Sequence, residues 1–200
     1  GRDTIFIPNG VSPAIIHTPE IIKEKWSLEK DNYILFLARI VPEKGVHYLI
    51  NAWKEVKKKI KTEKKLVIAG GSSHSQDYFN QIKQLINNDS SIIMTDFVCG
   101  QALQELYSNA YLYVLPSDIE GMPMSLLEAL SYGNQCLVSN IPENTEVITK
   151  DCYTFEKSNV NDLANKLIEI LNLNVNTHQK FMQVYSWDDV VNRTLDLYER

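Results

Sequence analysis

The chain has 200 residues, enough for one large domain or two small ones, and its apolar fraction of 44% is ordinary for a globular core. A formal net charge of −5 leaves no global basic footprint, which argues against a nucleic-acid partner. The three cysteines, Cys99, Cys136 and Cys152, show neither CxxC spacing nor a disulfide framework, which suits a reducing cytosol and predicts a cytoplasmic protein.

The chain opens Gly1-Arg2-Asp3 without an initiator Met and reads as a domain cut from a longer polypeptide. Tyr33 to Leu37 is a buried-strand candidate, followed by Val46, Leu49, Ile50, Trp53, Val56 and Ile60 at helical spacing. Leu66 to Ala69 is the next strand, closed by Gly70-Gly71, with a polar helix from about Gln76 to Asn87. Ile92 to Met94 precedes a helix beginning near Gln101. Tyr111 to Leu115 is a further strand, Met124 to Tyr132 a helix, and Cys136 to Ser139 and Tyr153 to Phe155 complete the strands. Val160, Leu163, Leu167, Ile170 and Leu171 form one apolar helix face. Ser186 heads the last helix, which gathers Trp187, Val190, Val191, Leu195 and Tyr198 on one side. Trp187 and Tyr198 read as helix-packing residues rather than a stacking platform.

Strands apolar on both faces, separated by helices of about ten or more residues, indicate a parallel sheet covered on both sides. The predicted fold is therefore a doubly wound, Rossmann-like α/β domain spanning 1–200, with its ligand crevice at the carboxyl ends of the strands. No apolar run approaches the roughly 18 residues of a transmembrane helix, and no signal peptide is visible.

The chemistry is sought just past those strand ends. Arg39 and Lys44, five apart, flank a turn and a helix N-terminus and can converge on one anion. Taken alone, two loop cations are more often solvated surface charges. Leu115 to Glu128 runs from a strand through a turn into a helix and carries Glu120 and Glu128. On one continuous helix these would lie about 80° apart, but Gly121 and Pro123 oppose such a helix. Glu120 is therefore placed in the loop and Glu128 one turn into the helix, both beside the crevice. Ionised carboxylates there suit sugar and ribose hydroxyls. The plainer reading makes Glu128 a solvated helix residue and Glu120 an acid answering the helix dipole. Leu126, Leu127, Ala129 and Leu130 around Glu128 weigh against it.

Four segments together resemble the C-terminal half of GT-B retaining glycosyltransferases of group 1, also called GT4. They are Ile7 to Val11, Arg39 to Gly45, Leu66 to Gly71, and Pro116 to Glu128 with Glu120-x7-Glu128. The resemblance implies that Arg39 and Lys44 clamp the donor diphosphate and stabilise the leaving nucleotide. It implies that Glu128 holds the ribose and Glu120 the transferred sugar. The backbone of Gly121, Met122, Pro123 and Met124 would approach sugar and phosphates, and that near Phe97 and Val98 would read the base. UDP is the favoured nucleotide, with GDP and ADP as alternatives; no metal or other cofactor is expected. An N-terminal acceptor-binding domain is implied to be missing, with 186–200 packing toward it, so this half alone would be inactive. Ala38, Gly133 to Cys136 and Asn140 to Glu143 depart from the family's usual residues. The alternative function is a non-catalytic nucleotide-binding or interaction module on the same fold.

The lysines between Lys54 and Lys65 read as a solvated helix face. Their sharper reading is peripheral attraction to an anionic membrane. His17, His47, His74 and His178 do not cluster with acids or cysteines at metal-ligand spacing.

Overall fold

A computed structural model describes residues 5, 7, 9–72, 76–173 and 186–198. Gly1 to Asp3, Pro8, His74 and His178 lie outside the described residues.

Six apolar runs become strands: β1 (Tyr33–Leu37), β2 (Lys65–Ala69), β3 (Ile92–Asp96), β4 (Leu112–Leu115), β5 (Cys136–Ser139) and β6 (Tyr153–Phe155). They form one sheet in the order β3-β2-β1-β4-β5-β6, with every neighbouring pair parallel. This is the doubly wound α/β architecture expected from the alternation of strands and helices. The chain direction of the winding reverses between β1 and β4, so the ligand crevice belongs beyond the carboxyl ends of those two strands.

Eight helices alternate with the strands among the described residues: α1 (Ile21–Trp26), α2 (Val46–Lys59), α3 (Gln76–Ile86), α4 (Gly100–Asn109), α5 (Met124–Ser131), α6 (Pro142–Thr145), α7 (Val160–Asn172) and α8 (Trp187–Tyr198). Side chains alternate across each strand. Ile34 and Phe36 of β1 therefore join a core under α2, α3 and α7. Tyr33 and Leu35 enter the opposite core, under α1, α4 and α5. Helix α2 inserts Leu49, Ile50, Trp53 and Val56, all fully buried. Each contributes about 1.5–3 kcal/mol of apolar burial. Trp53 also donates from Nε1 to Ser91 Oγ at 3.0 Å, so its one polar atom is satisfied.

Helix α1 was not expected from the sequence, and its stabilisation is non-local. Its own first residues supply no side-chain cap. Instead Glu105, fully buried on α4, accepts from the backbone N–H of Glu20 and Ile22, both at 3.0 Å. A carboxylate at a helix N-terminus satisfies orphan donors and opposes the positive dipole end. Burial raises the Glu105 pKa, but the N–H of Ile22 and the amide of Gln101 outweigh it, leaving the carboxyl below its ordinary range. A depressed carboxyl stabilises the fold above its unfolded value, and that contribution is lost as pH falls through the folded value. Glu105→Gln is therefore expected to flatten the acid side of the stability profile. Urea midpoints measured from neutral pH downward check this; an unchanged acid slope would contradict it.

Two expectations about the surface are corrected or refined. The apolar side of α8 is not buried among the described residues: Trp187 is 50% exposed and Tyr198 85%. Their side chains are largely exposed among the described residues, although the backbone of Ser186 and Trp187 lies against Gly10. Helical spacing identifies an apolar side without identifying what covers it. The lysine run is the expected solvated face at Lys57, Lys58, Lys59 and Lys61, while Lys54 donates to the Leu85 carbonyl, Lys64 to Asp31 and Lys65 to Ser90. No helix among the described residues is long and apolar enough to cross a membrane.

Candidate active site

The loop after β1 is shaped by close backbone approaches. A 3₁₀ turn, Pro42–Lys44, ends at Gly45 with φ +68°, and α2 begins at the next residue. A methyl group on Gly45 would lie 2.0 Å from the Pro116 carbonyl oxygen, so the loops after β1 and β4 touch at a point only glycine permits. Gly70, at the end of β2, stands in the same relation to the Ala38 carbonyl, at 1.9 Å.

Lys44 and Glu120 meet across this junction. Lys44 Nζ donates to Glu120 Oε2 at 2.6 Å, and Ser117 Oγ donates to Glu120 Oε1 at 2.6 Å. The side chains are 16% and 4% exposed, so the pair is largely desolvated. The neighbouring Asp118 binds the loops together. Its backbone N–H donates to the Glu43 carbonyl at 2.8 Å, and its carboxylate accepts from Tyr48 at 3.0 Å and Ser158 at 2.6 Å.

Arg39 is brought to the same edge but not to the same partner. It is exposed, and its guanidinium makes no hydrogen bond or ion pair among the described residues. With Phe97, Val98, Ala38 and Gly70-Gly71 it lines a cavity of about 160 Å³ past the ends of β1, β2 and β3. Phe97 is 77% exposed there.

Glu128 lies one turn into α5, as expected from the spacing. Its Oε2 accepts from the Tyr107 hydroxyl at 2.9 Å. It lines a second cavity, about 490 Å³, together with Met124, Tyr107, Tyr132, Trp187 and the segment from Gly10 to Pro13. Of the connecting residues, Gly121 is exposed and Met122 accepts at its sulfur from the Asn9 N–H at 3.0 Å. Pro123 precedes α5 without a side-chain cap, and its carbonyl accepts from Leu126 and Leu127. The first N–H groups of α5 are thus available to an anion.

Sequence reasoning missed Ser117 and Tyr107 as partners of the two glutamates. Ser117 stood inside the motif, three residues from Glu120, where a hydroxyl is a visible candidate donor. Tyr107 is 21 residues from Glu128 on another helix and left no local signal.

A six-stranded parallel sheet wound in both directions, with its charged loops at the switch point, defines a Rossmann-like α/β domain. Residues 18–184 match the family described as Glycosyl transferases group 1, and the chain belongs to that family. It is 27% identical, over 181 residues, to an uncharacterized glycosyltransferase of Methanocaldococcus jannaschii, covering 86% of this chain and 45% of that protein. It is 28% identical to the UDP-Gal:alpha-D-GlcNAc-diphosphoundecaprenol alpha-1,3-galactosyltransferase of Escherichia coli, covering 96% of this chain and 53% of that one. Among solved structures, Anabaena Alr3699/HepE in complex with UDP and glucose superposes with a TM-score of 0.71 at 17% identity, over 90% of this chain and 50% of the other. That likeness speaks for the fold. The chain spans about half the length of the relatives it matches.

Proposed function

We propose that this chain is the nucleotide-sugar-binding half of a retaining, metal-independent glycosyltransferase acting on a glycan, lipid-linked or other acceptor. The observation that carries the reading is the gathering of Arg39, Lys44 and Glu120 around the switch point between β1 and β4, with Glu128 one turn into α5. Arg39 and Lys44 clamp the diphosphate, Glu128 takes the ribose hydroxyls, and Glu120 orients the transferred sugar. The backbone of Phe97 and Val98 reads the base, and that of Gly121 to Met124 lies along sugar and phosphates. UDP is the preferred nucleotide in this reading, supported by the UDP-sugar named for the galactosyltransferase relative and the UDP bound in the Anabaena structure.

In the transfer step the bond from the anomeric carbon to the phosphate oxygen breaks and one to the acceptor oxygen forms. The acceptor proton passes to a phosphate oxygen of the leaving group. Glu120 has both oxygens engaged, by Lys44 and Ser117, which suits a holding role better than a covalent nucleophile. The acceptor is held by a second domain; the exposed Trp187, Val191 and Leu195 of α8 support this reading as an apolar surface for it to cover. The fragment alone is then inactive. The whole protein works in the cytoplasm, in peripheral contact with a membrane where its acceptor is lipid-linked.

Calorimetric titration of the intact protein with UDP, GDP and ADP, first without metal and then with magnesium, tests this. Saturable, metal-independent binding of one nucleotide is expected. Arg39→Ala should weaken it about 10- to 100-fold, the loss of one charge-assisted contact. Unchanged affinity would remove Arg39 from the clamp, and a strict magnesium requirement would overturn metal independence. No binding to any of the three would favour the non-catalytic module.

A further inference from the structure

Beneath Glu128 lies a group of tyrosines that the proposed chemistry does not use. Tyr107, almost wholly buried on α4, stacks on Tyr132 with ring centroids 5.2 Å apart, and the tilted ring of Tyr113 lies 6.2 Å away. Its backbone carbonyl is held by Asn134 Nδ2 at 2.7 Å. The ring is thus packed between aromatic neighbours on a tied-down backbone, and its hydroxyl has two acceptors within reach: Glu128 Oε2 at 2.9 Å and the Ser125 carbonyl at 3.2 Å. A phenol has one proton to give, and the closer, charged acceptor receives the stronger bond.

We infer that Tyr107 is a positioning residue that fixes the Glu128 carboxylate for a ribose diol, an inference that rests on the donor-binding reading above. A glutamate one turn into a helix otherwise samples several rotamers, and ordering it on ligand binding costs affinity. Here one oxygen is anchored before any ligand arrives. The other has no partner among the described residues, on a side chain that lines the cavity of about 490 Å³. Burial, then the neighbouring Tyr113 and Glu128, pushes the Tyr107 phenol well above its ordinary pKa. It therefore remains a donor throughout the neutral range. The base of the device is itself tied down, since Tyr113 donates to Ser125 Oγ at 2.8 Å, one turn before Glu128 in α5.

The test pairs each ribonucleotide with its deoxy counterpart. UDP and 2′-deoxy-UDP, with GDP and 2′-deoxy-GDP in parallel, are titrated into the intact wild-type protein, Tyr107→Phe, Glu128→Gln and the double variant. Wild type should prefer the ribose form. Tyr107→Phe, which preserves the ring, should lose about five- to tenfold in affinity for the ribonucleotide and little for the deoxynucleotide, so the preference collapses. In the Glu128→Gln background, where the charged acceptor is gone, the same change should add much less. An equal loss for both forms, or a retained preference, would show Tyr107 to be only a packing residue and overturn the inference while leaving the donor reading intact. A wild type without ribose preference would instead overturn the assignment of Glu128, and the inference with it. Should Tyr107→Phe not fold, Glu128→Gln still decides that second point, and Tyr113→Phe decides the first. Freeing Ser125 should reduce the same preference, and a full wild-type preference would overturn the positioning device.

Discussion

Lys44→Met is expected to lower the stability of the protein by about 3–5 kcal/mol, because it strands a buried carboxylate. Glu120 is 4% exposed, with Lys44 at 2.6 Å and Ser117 as its other donor. Without the ammonium, the remaining hydroxyl cannot compensate a desolvated charge. Glu120→Gln should cost less, since the amide oxygen can still accept from Lys44 and the Ser117 hydroxyl can turn to accept from the amide N–H. The double variant should recover much of the loss, as a neutral pair needs no compensation. Urea denaturation of the four proteins measures the coupling, and simple additivity would show that the two charges do not depend on each other. The pair also bears on binding. In the proposed function Lys44 serves the diphosphate, yet in the free protein it is held by Glu120. Glu120→Gln should consequently tighten binding of UDP, which has no sugar for Glu120 to hold, whereas Lys44→Met should weaken it.

That ion pair marks where the sequence stops being readable. The sheet was legible because β1, β2, β4 and β5 are apolar on both faces, a pattern only a doubly covered parallel sheet satisfies. Even the limits of β1, β5 and β6 followed from their apolar runs. Tyr111, expected in β4, precedes it, and its hydroxyl serves the carbonyl of Ile170 instead. Helix α1 escaped notice because it buries only Ile22 and takes its cap from Glu105, 83 residues away from Ile22. Helix α6 is a single turn begun by Pro142, too short to show a period. At the site, spacing placed Glu120 in a loop and Glu128 on a helix. It could not show that Lys44 pairs with Glu120, 76 residues on, rather than with Arg39 around a shared anion. Nor could it show that Glu128 is held by Tyr107. Periodicity reports which face of an element is buried; partners across the fold are set by the packing of loops that carry no period.

The junction of those loops makes the last expectation. Gly45→Ala should cost about 2–5 kcal/mol, combining a left-handed backbone that disfavours a side chain with overpacking against a carbonyl. The new methyl would lie 2.0 Å from the Pro116 oxygen and 2.9 Å from the Tyr48 ring, and backbone cannot yield as a side-chain tip can. Gly121→Ala supplies the contrast on the same loop system. A methyl there meets nothing within 4 Å, and the change should stay within about 0.5 kcal/mol. Comparable melting temperatures for the two variants would contradict the close approach at Gly45. The close approach also reaches the site. Moving Pro116 also moves Ser117 from Glu120 and Asp118 from the Glu43 carbonyl. Gly45→Ala should then weaken nucleoside-diphosphate binding even at temperatures where the protein remains folded, whereas Gly121→Ala should lose far less. The difference arises because a diphosphate clamp drawn from two loops is only as well positioned as the contact that holds the loops together.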